Sequence, residues 1–252
     1  SWIENRIDTL VERYSKFILS TSRASAETIR LRPAMAQSTK IGFIHNGTEE
    51  PPTLDPERRR IKDMLGIPPE SPLCAMLGTY EPRKGHRFLL EAFARVLQAV
   101  PDAHLVVSGY GQNDEVAKVA GMVKDLGLGA SVHLEGFWID RHELMEETEV
   151  EVVSARGFES FGLTLVEAMS HKVPVVTTRV GGTPEVVASD EGGFSVEPTD
   201  LEGFAEKIAL LLTDDELARR KGEQGYRRFQ NHFTIRRMAG EYARLIHADG
   251  AV

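Results

Sequence analysis

The sequence has little cysteine, no long hydrophobic run and no initiator methionine. Cys74 is the one cysteine among 252 residues, so no internal disulfide can form, which fits a reducing compartment. No apolar segment approaches the ~18 residues that span a bilayer, and residues 1–4 show no signal-peptide pattern. We therefore expect a cytoplasmic location. Since the chain does not start with methionine, we also expect it to be a fragment of a longer protein.

Positive charge and metal-ligand motifs are scarce as well. Lysine and arginine number 30 against 38 acidic residues, which gives a formal net charge of -8 and argues against a nucleic-acid partner. No two aspartates stand in the D-x-D spacing that holds a metal in many sugar transferases, and the histidines show no zinc-ligand spacing. We expect no metal and no cofactor. The composition, 41% hydrophobic and 27% charged, is that of an ordinary globular protein.

Short apolar runs alternate with amphipathic stretches from about Leu73 onward, which is typical of an α/β protein with a parallel sheet. The runs contain much valine and leucine with little polar alternation, as expected when helices cover both faces of the sheet. We predict strands at 73–77, 103–108, 131–134, 150–154, 173–177 and 193–196. Helices are predicted at 85–100, 113–126 and 140–147, the latter two with Asn113 and Asp140 as N-caps. The predicted fold is a Rossmann-like, doubly wound sheet.

The two flanks of this region differ from it. Residues 1–48 contain a helix at 3–14, a strand at 17–20, a short helix from Ser25 and a strand at 40–44, too few elements to close a sheet. Residues 45–56, with Asn-Gly and Pro-Pro pairs, are typical of a linker. An all-helical tail follows at 201–212, 214–229 and 234–247.

Three loops follow predicted strands, where ligands bind in open α/β sheets. The first, residues 78–85 (GTYEPRKG), brings Arg83 and Lys84 to a predicted helix start. Cations are unfavourable there because the helix dipole is already positive, and an anion such as a diphosphate would relieve the conflict. The alternative is that both side chains are simply solvated.

The second loop, residues 108–114 (SGYGQND), half resembles the glycine fingerprint of dinucleotide-binding proteins. Asp114 occupies the third glycine position, and its carboxylate would repel a pyrophosphate. A nicotinamide oxidoreductase is therefore disfavoured, and a tight turn between strand and helix is the alternative interpretation.

The third loop and its helix, residues 154–169, carry two acidic residues and two glycines. Glu159 lies in the loop and Glu167 on a helix that begins near Leu163, while Gly157 and Gly162 allow the backbone to approach a ligand. Carboxylates that accept hydroxyls, beside N–H groups that donate to phosphate, are the groups that a nucleotide sugar requires. The alternative is that Glu167 is an ordinary exposed helix residue.

These residues resemble the C-terminal, donor-binding domain of the retaining family-four glycosyltransferases of the GT-B fold. That group has a glutamate, seven intervening residues and a second glutamate followed by Ala-Met, and Glu159 and Glu167 match it. The similarity extends over roughly 40–246, through Arg83-Lys84-Gly85 and through residues 180–187 (VGGTPEVV). The chain departs from the pattern at Thr79, where many relatives have arginine, so that Arg83 would have to replace it.

The resemblance implies a role for each matching residue. Lys84 and Arg83 would hold the donor diphosphate, Glu159 would accept the sugar hydroxyls, and these three would be the catalytic residues. Glu167 would bind the ribose. The remaining donor-binding positions are Gly78, Gly109, Tyr110 and Phe137, together with Phe161, Gly162, Leu163 and Thr164.

By the same resemblance, the chain is one half of a GT-B enzyme. Residues 1–48 would be a remnant of the N-terminal acceptor-side domain, 49–233 the nucleotide-sugar domain and 234–252 the crossing helix. A UDP or GDP sugar would donate a hexosyl unit, with retention, to a saccharide or lipid-linked acceptor. The alternatives are a donor-binding module that is inactive alone, and a nucleotide-sugar epimerase. Arginine pairs such as Arg219-Arg220 either contact anionic lipid at a membrane surface or form solvated helix faces.

Overall fold

A computed structural model describes residues 2–136 and 138–248, and within them it contains two parallel sheets. In the small sheet, β1 (Ile18–Ser20) pairs with β2 (Ile41–Phe43). The large sheet has six strands in the order β5-β4-β3-β6-β7-β8, all parallel. Its strands are β3 (Leu73–Leu77), β4 (His104–Ser108), β5 (Val132–Glu135), β6 (Val150–Val153), β7 (Val175–Thr178) and β8 (Gly193–Val196). The predicted doubly wound α/β fold is confirmed.

Helices connect and flank these strands. The first three are α1 (Trp2–Tyr14), α2 (Arg23–Arg30) and α3 (Ile61–Leu65). Those of the large sheet are α4 (His86–Ala99), α5 (Asn113–Asp125), α6 (Arg141–Glu146), α7 (Leu163–Ser170) and α8 (Thr183–Val186). The tail consists of α9 (Leu201–Thr213), α10 (Asp215–His232) and α11 (Ile235–Ala248). Among these helices, none combines the length and the apolar character needed to cross a bilayer.

The large sheet has a hydrophobic core on each face. On one face, Phe93 of α4 and Phe204 of α9 pack in the same cluster as Val152 of β6. On the other, Leu165 of α7 and Phe229 of α10 are among the residues that pack with Val153. Successive side chains of a strand point to opposite faces, so a strand buried on both sides lacks polar alternation. This arrangement accounts for the Val-rich runs of the sequence.

The topology of the sheet creates a crevice beside β3. The chain runs outward from β3 to β4 and β5, and then returns to β6 on the other side of β3. Pairing between β3 and β6 extends over only two residue pairs, Cys74 with Val150 and Ala75 with Glu151, in the part of the sheet that the structure describes. The two strands therefore diverge before their carboxyl ends. Ligands bind at such a switch point in open α/β sheets, between the loops that follow the two strands.

The predicted elements agree with the structure except at some ends and at short helices. Asp140 caps α6, since its carboxylate accepts from the N–H groups of His142 and Glu143. The prediction of Asn113 as N-cap of α5 is wrong, because Gln112 occupies that position and makes no side-chain cap hydrogen bond. Helix α3 was not predicted. Its first N–H groups are capped by the carboxylate of Glu147, which is distant in the sequence, so no local residue marks the helix start.

The first 48 residues and the C-terminal helix are tied together. Thr48 forms an isolated parallel bridge with Thr234, in which the N–H of Thr48 donates to the carbonyl of Phe233 and the N–H of Ile235 donates to the carbonyl of Thr48. The linker therefore runs alongside the start of α11. The proposed boundaries at 48 and 233 stay predictions.

Candidate functional site

The loop after β3 presents two cations beside the crevice. Pro82, Arg83 and Lys84 form a short 3-10 turn, which ends at Gly85 in the left-handed conformation (φ 74°), and α4 starts at His86. This confirms the expectation that both cations stand at a helix start, since they directly precede Gly85, the N-cap of α4.

Glu159 neutralises Lys84 within the chain. The Lys84 Nζ lies 2.7 Å from Glu159 Oε2, and the Arg83 guanidinium lies 3.8 Å from the same oxygen. Arg83 also forms a closer ion pair, with Nε 2.7 Å from Glu81 Oε2. The whole residue Glu159 is 8% exposed. Carboxylate and ammonium thus form a mostly buried, hydrogen-bonded pair, and an anionic ligand would compete with Glu159 for Lys84.

Backbone contacts join the loop after β3 to the loop after β6. The Ser154 hydroxyl donates to the carbonyl of Lys84 at 2.9 Å, and the N–H of Arg156 donates to the carbonyl of Arg83 at 2.9 Å. A Cβ on Gly85 would stand only 2.0 Å from the Ser154 carbonyl oxygen. The two loops therefore touch, and only glycine at position 85 allows that approach. These contacts fix the backbone from which Lys84 extends.

A cavity of about 410 Å³ opens next to this ion pair. Its lining combines strand-end residues of β3 and β4 with residues of α7 and of the loop after β5: Leu77, Gly78, Thr79, Ser108, Gly109, Tyr110, Trp138, Ile139, Asp140, Arg141, Thr164 and Glu167. The stem of Lys84 borders it, since Lys84 Cε lies 3.8 Å from where a Cβ of Gly78 would be. This volume is within the range of small-molecule sites.

Glu167 lines the cavity with a mostly buried side chain, which is 13% exposed. Burial raises the pKa of this carboxyl, and the neighbouring Arg141 acts in the opposite direction. Arg141 Nε lies 3.3 Å from Glu167 Oε1. The carboxylate has two oxygens with room for further hydrogen bonds, so it can accept hydroxyls from a ligand in the cavity.

A third acid, Glu151, lies in the sheet beside this cavity. It is fully buried on β6, accepts a long 3.4 Å hydrogen bond from the N–H of Leu77, and has no partner for Oε2 within the described part of the chain. Burial raises its pKa well above the usual value, and the neighbouring Glu167 adds to the rise. A carboxyl in this environment keeps its proton to a higher pH than a solvated glutamate does.

The predicted site residues fall into three sets. Gly78, Gly109, Tyr110, Thr164 and Glu167 line the cavity, whereas Lys84, Arg83 and Glu159 form the ion-pair cluster beside it. Phe161, Gly162 and Leu163 lie at the start of α7, and the side chain of Phe161 is buried against Phe233. Phe137 lies outside the described residues. The first N–H groups of α7, those of Leu163 and Thr164, have no partner within the helix.

Sequence reasoning missed Arg141 and Glu151. Arg141 follows the N-cap Asp140 and looked like an ordinary helix-face residue, but α6 packs against the sheet so that Arg141 meets Glu167. Glu151 does carry a signal, since an acidic residue interrupts an otherwise apolar predicted strand. Buried carboxyls are rare unless paired or functional.

A second, larger cavity of about 620 Å³ lies between α4 and α5 and is lined by residues such as His86, Phe88 and Lys118. Part of the first loop, including Gly85, lines it, but none of the predicted catalytic or donor-binding residues does. The smaller cavity is the better candidate site, because it straddles the strand ends at the switch point and contains Glu167.

No group of three or more His, Cys, Asp or Glu side chains within residues 2–136 and 138–248 is arranged to hold a metal ion. Lys84, Arg83 and Arg141 are the cationic side chains at or beside the cavity.

Proteins of known sequence and structure are similar to this chain. The chain is 30% identical over 183 residues to the lipopolysaccharide core biosynthesis glycosyltransferase LpsE of Rhizobium meliloti, which is 72% of this chain and 52% of the relative. It is 28% identical over 207 residues to N-acetyl-alpha-D-glucosaminyl L-malate synthase of Bacillus anthracis, covering 82% of this chain and 53% of the relative. The chain thus spans about half the length of these curated relatives.

Among solved structures, the Anabaena protein HepE, crystallised with UDP and glucose, superposes with a TM-score of 0.86. The superposition covers 98% of this chain and 68% of that chain at 22% sequence identity, and it shows that the two share a fold. The family model for glycosyl transferases group 1 matches residues 57–228, from the end of the linker to α10. The match includes both acidic residues of the third loop and the basic loop after β3. The chain belongs to the group 1 glycosyl transferases.

Proposed function

We propose that this chain is the donor-binding half of a glycosyltransferase that moves a hexosyl unit from a nucleoside diphosphate sugar to an acceptor hydroxyl, with retention of configuration. One observation supports the proposal: Lys84, paired with the buried Glu159, borders a cavity that contains Glu167, at the switch point of the sheet. A cation for phosphate thus lies beside one acceptor for hydroxyls and next to the cavity that contains another. A nucleotide sugar has hydroxyls on both sides of its diphosphate, on the ribose and on the hexose.

In the proposed complex, the cavity takes the nucleoside and Glu167 accepts the ribose hydroxyls. The diphosphate replaces Glu159 at the Lys84 ammonium, and the N–H groups at the start of α7 donate to its oxygens. Glu159, released from Lys84, then accepts hydroxyls of the hexose. Glu159 would therefore be paired in both states, since a half-buried carboxylate without a partner is costly.

The transfer step needs stabilisation of negative charge on the leaving diphosphate. As the glycosidic bond lengthens, charge builds on the departing phosphate oxygen, and donors already aimed at it lower the barrier. Lys84, Arg83 and the first N–H groups of α7 are these donors in our proposal, and they replace the charge that a metal ion supplies in other sugar transferases. Retention is proposed from the resemblance to the retaining family-four enzymes.

The acceptor would be bound by a second domain, and α1 provides a surface for it. The apolar side chains Ile3, Ile7, Leu10 and Tyr14 repeat along one face of this helix and are all more than half exposed. No residue of α1 is buried within the described part of the chain. Because the curated relatives are about twice as long, we propose that an acceptor-side domain covers this face.

Titration calorimetry of the chain with UDP, GDP and the corresponding nucleotide sugars tests donor binding. We expect one nucleotide series to bind and to raise the melting temperature, since a ligand at 100 times its Kd stabilises by about 2.7 kcal/mol. If neither the uridine nor the guanosine series binds, the proposal is contradicted. A binding-deficient control is the Lys84 variant described in the Discussion.

Product analysis then distinguishes the transferase from the inactive donor-binding module and from the epimerase. Incubation of the bound donor without an acceptor distinguishes an epimerase, which would change the sugar, from a transferase. We expect the chain to bind the donor without turnover and to become active when the acceptor-side half is added. Turnover of the donor to its epimer by the chain alone would favour the epimerase instead.

A further inference from the structure

Two hydroxyl groups of the α2 region converge on one carbonyl of the donor loop. The Oγ of Ser22 donates to the carbonyl of Ser160 at 2.6 Å, and the Oγ of Ser25 donates to the same oxygen at 3.0 Å. Both serines are buried, at 0% and 6% exposure. Ser22 also caps α2, since its Oγ accepts from the N–H of Ser25. These contacts join residues that are 138 and 135 positions apart in the chain.

A second set of hydrogen bonds holds the start of α2 in place. The carboxylate of Glu185 accepts from the N–H groups of Arg23 at 2.9 Å and Ala24 at 2.8 Å, and from His45 Nε2 at 2.8 Å. Burial acts to raise the pKa of Glu185, but these hydrogen bonds outweigh it and the pKa is lowered. A charged carboxylate at the first turn of a helix is favourable. The α2 segment is therefore fixed on the large domain independently of the two serines.

The Ser160 carbonyl and the Phe161 N–H belong to the same peptide group. A trans peptide is planar, so the carbonyl oxygen and the amide hydrogen point in opposite directions. Holding the oxygen toward α2 consequently directs the Phe161 N–H away from it. Among the described residues, no group accepts a hydrogen bond from this N–H. The preceding carbonyl, that of Glu159, is held as well, by the N–H of Gly182 at 2.8 Å.

Gly182 makes the junction between α2 and the loop tight. A Cβ at this position would stand 2.5 Å from the Ser160 carbonyl oxygen and 2.9 Å from the Ser22 hydroxyl. The Ser160 peptide therefore has little space in which to rotate. The loop that carries Glu159 is held from both sides, by serines of α2 and by the backbone before α8.

We propose that Ser22 and Ser25 are positioning residues for donor binding: by holding the Ser160 carbonyl, they aim the Phe161 N–H at the donor phosphate and place Glu159 for the sugar. This proposal rests on the proposed function. It assigns to the first 48 residues, predicted to belong to the acceptor side, a direct effect on the donor loop. A movement of α2 relative to the large domain would release the peptide and weaken the site.

Three variants of the 252-residue chain test whether the two serines position the Ser160 peptide. Ser25→Ala removes one of the two donors but leaves the Ser22 cap of α2 intact. Ser25→Thr restores a hydroxyl at the same position. Thr28→Val is the matched control, because the Thr28 hydroxyl lies on the same helix and donates only to the Ser25 carbonyl among the described residues.

The first measurement needs no ligand. The ¹⁵N chemical shift and the hydrogen exchange of the Phe161 amide report whether its peptide is held, since an amide nitrogen responds to hydrogen bonds of the preceding carbonyl. We expect both to change in Ser25→Ala, to return toward wild type in Ser25→Thr and to stay unchanged in Thr28→Val. An unchanged Phe161 amide in Ser25→Ala overturns the proposal, whether or not the chain binds a nucleotide.

The second measurement is calorimetry with UMP, UDP and UDP-glucose, and with GMP, GDP and GDP-mannose in parallel. We expect Ser25→Ala to bind the diphosphate and the nucleotide sugar about 3- to 10-fold more weakly, as loss of one aimed hydrogen bond implies, and the monophosphate unchanged. An equal loss for all three ligands indicates general destabilisation and rejects the positioning role. If the wild type binds neither series, the proposed function fails, while the amide measurement still decides whether the serines hold the peptide.

Discussion

Among the described residues, the carboxylate at hydrogen-bonding distance from Lys84 is that of Glu159, and the two form the polar centre of the site. The side chain of Lys84 is 17% exposed and that of Glu159 is 11% exposed, so neither is fully solvated. Hydrogen bonds between charged groups are stronger than neutral ones, and leaving one member unpaired is costly. Each partner therefore has a defined effect on ligand binding, and the two effects differ.

Substitution of Lys84 by alanine should weaken UDP binding by roughly 10- to 100-fold, as expected from loss of a charge-assisted hydrogen bond worth about 1.5–3 kcal/mol. Calorimetry measures the change. Lys118→Ala is the control, because Lys118 is an exposed lysine of α5 that pairs with Glu115 and does not line the smaller cavity. Unchanged UDP affinity in Lys84→Ala would remove Lys84 from the diphosphate site.

Glu159→Ala should distinguish sugar recognition from phosphate recognition. Without Glu159, Lys84 loses a competitor for the diphosphate, so the affinity for UDP should stay similar or rise, whereas the affinity for the nucleotide sugar should fall. The ratio of the two dissociation constants, from calorimetry, is the quantity to compare with wild type. Glu91→Ala on α4, where Glu91 pairs with Arg87, provides the control. Equal losses for both ligands in Glu159→Ala would argue against a contact with the sugar.

Glu151 makes the stability of the fold depend on pH. Burial raises its pKa above the unfolded value, so the folded state holds a proton that the unfolded state releases. Its favourable contribution is present below about pH 4, near the usual pKa of glutamate, and is lost as the pH rises toward the raised pKa of the folded state. Glu151→Gln removes this dependence.

We expect the melting temperature of Glu151→Gln, relative to wild type, to increase steadily from pH 4 to pH 8. In a domain of this size, 1 kcal/mol corresponds to about 2–4 °C. Thermal unfolding followed by circular dichroism at several pH values measures the trend. A difference between the two proteins that stays constant with pH would mean that Glu151 is ionised in the folded state.

At the scale of secondary-structure elements, the site depends on how the loops after β3 and β6 are joined. The Ser154 hydroxyl and the Arg156 N–H donate to backbone carbonyls of the basic turn, and Gly85, which follows the turn, is the N-cap of α4. The position of the cations is thus set by two loops and not by one. Gly85 is where they are closest.

Gly85→Ala should destabilise the chain by more than about 1 kcal/mol, because alanine is strained at φ 74° and its Cβ would collide with the Ser154 carbonyl. Gly121→Ala is a matched control: Gly121 lies inside α5, a Cβ there meets nothing within 4 Å, and the change should stabilise by about 0.5–1 kcal/mol. Urea denaturation measures both free energies of unfolding. Shifts of the same sign would contradict the reasoning.

At the scale of the whole molecule, the exposed apolar face of α1 stands out. Large apolar patches on an isolated chain favour association or mark an interface. The helix packs against the turn at Pro33–Met35, and its apolar side chains remain exposed. We have proposed that an acceptor-side domain covers it.

The isolated chain should therefore self-associate with increasing concentration, and the double variant Ile7→Glu/Leu10→Glu should remain monomeric. Both side chains are more than half exposed, so the melting temperature should change little. Sedimentation velocity over a range of concentrations measures association. Arg6→Gln/Arg13→Gln, on the same helix, lowers the net charge by the same amount and controls for the change in charge. If the Ile7→Glu/Leu10→Glu variant self-associates as the wild type does, then α1 is not the surface of association.

The sequence alone determined the fold class and most of the elements, because valine-rich runs and amphipathic helices have distinct periods that need no knowledge of distant residues. It also determined which loops follow strands, and hence that Lys84, Glu159 and Glu167 lie at one edge of the sheet. Local chemistry of this kind is readable along the chain, as the N-cap at Asp140 shows.

Only the tertiary structure decided which charges meet. Lys84 pairs with Glu159, 75 positions away, Arg141 pairs with Glu167, and Glu147 caps α3, since helix packing and the switch in strand order bring these groups together. The convergence of Ser22 and Ser25 on Ser160 likewise has no pattern in the sequence. Such contacts depend on the relative placement of elements, which local propensity and periodicity do not encode.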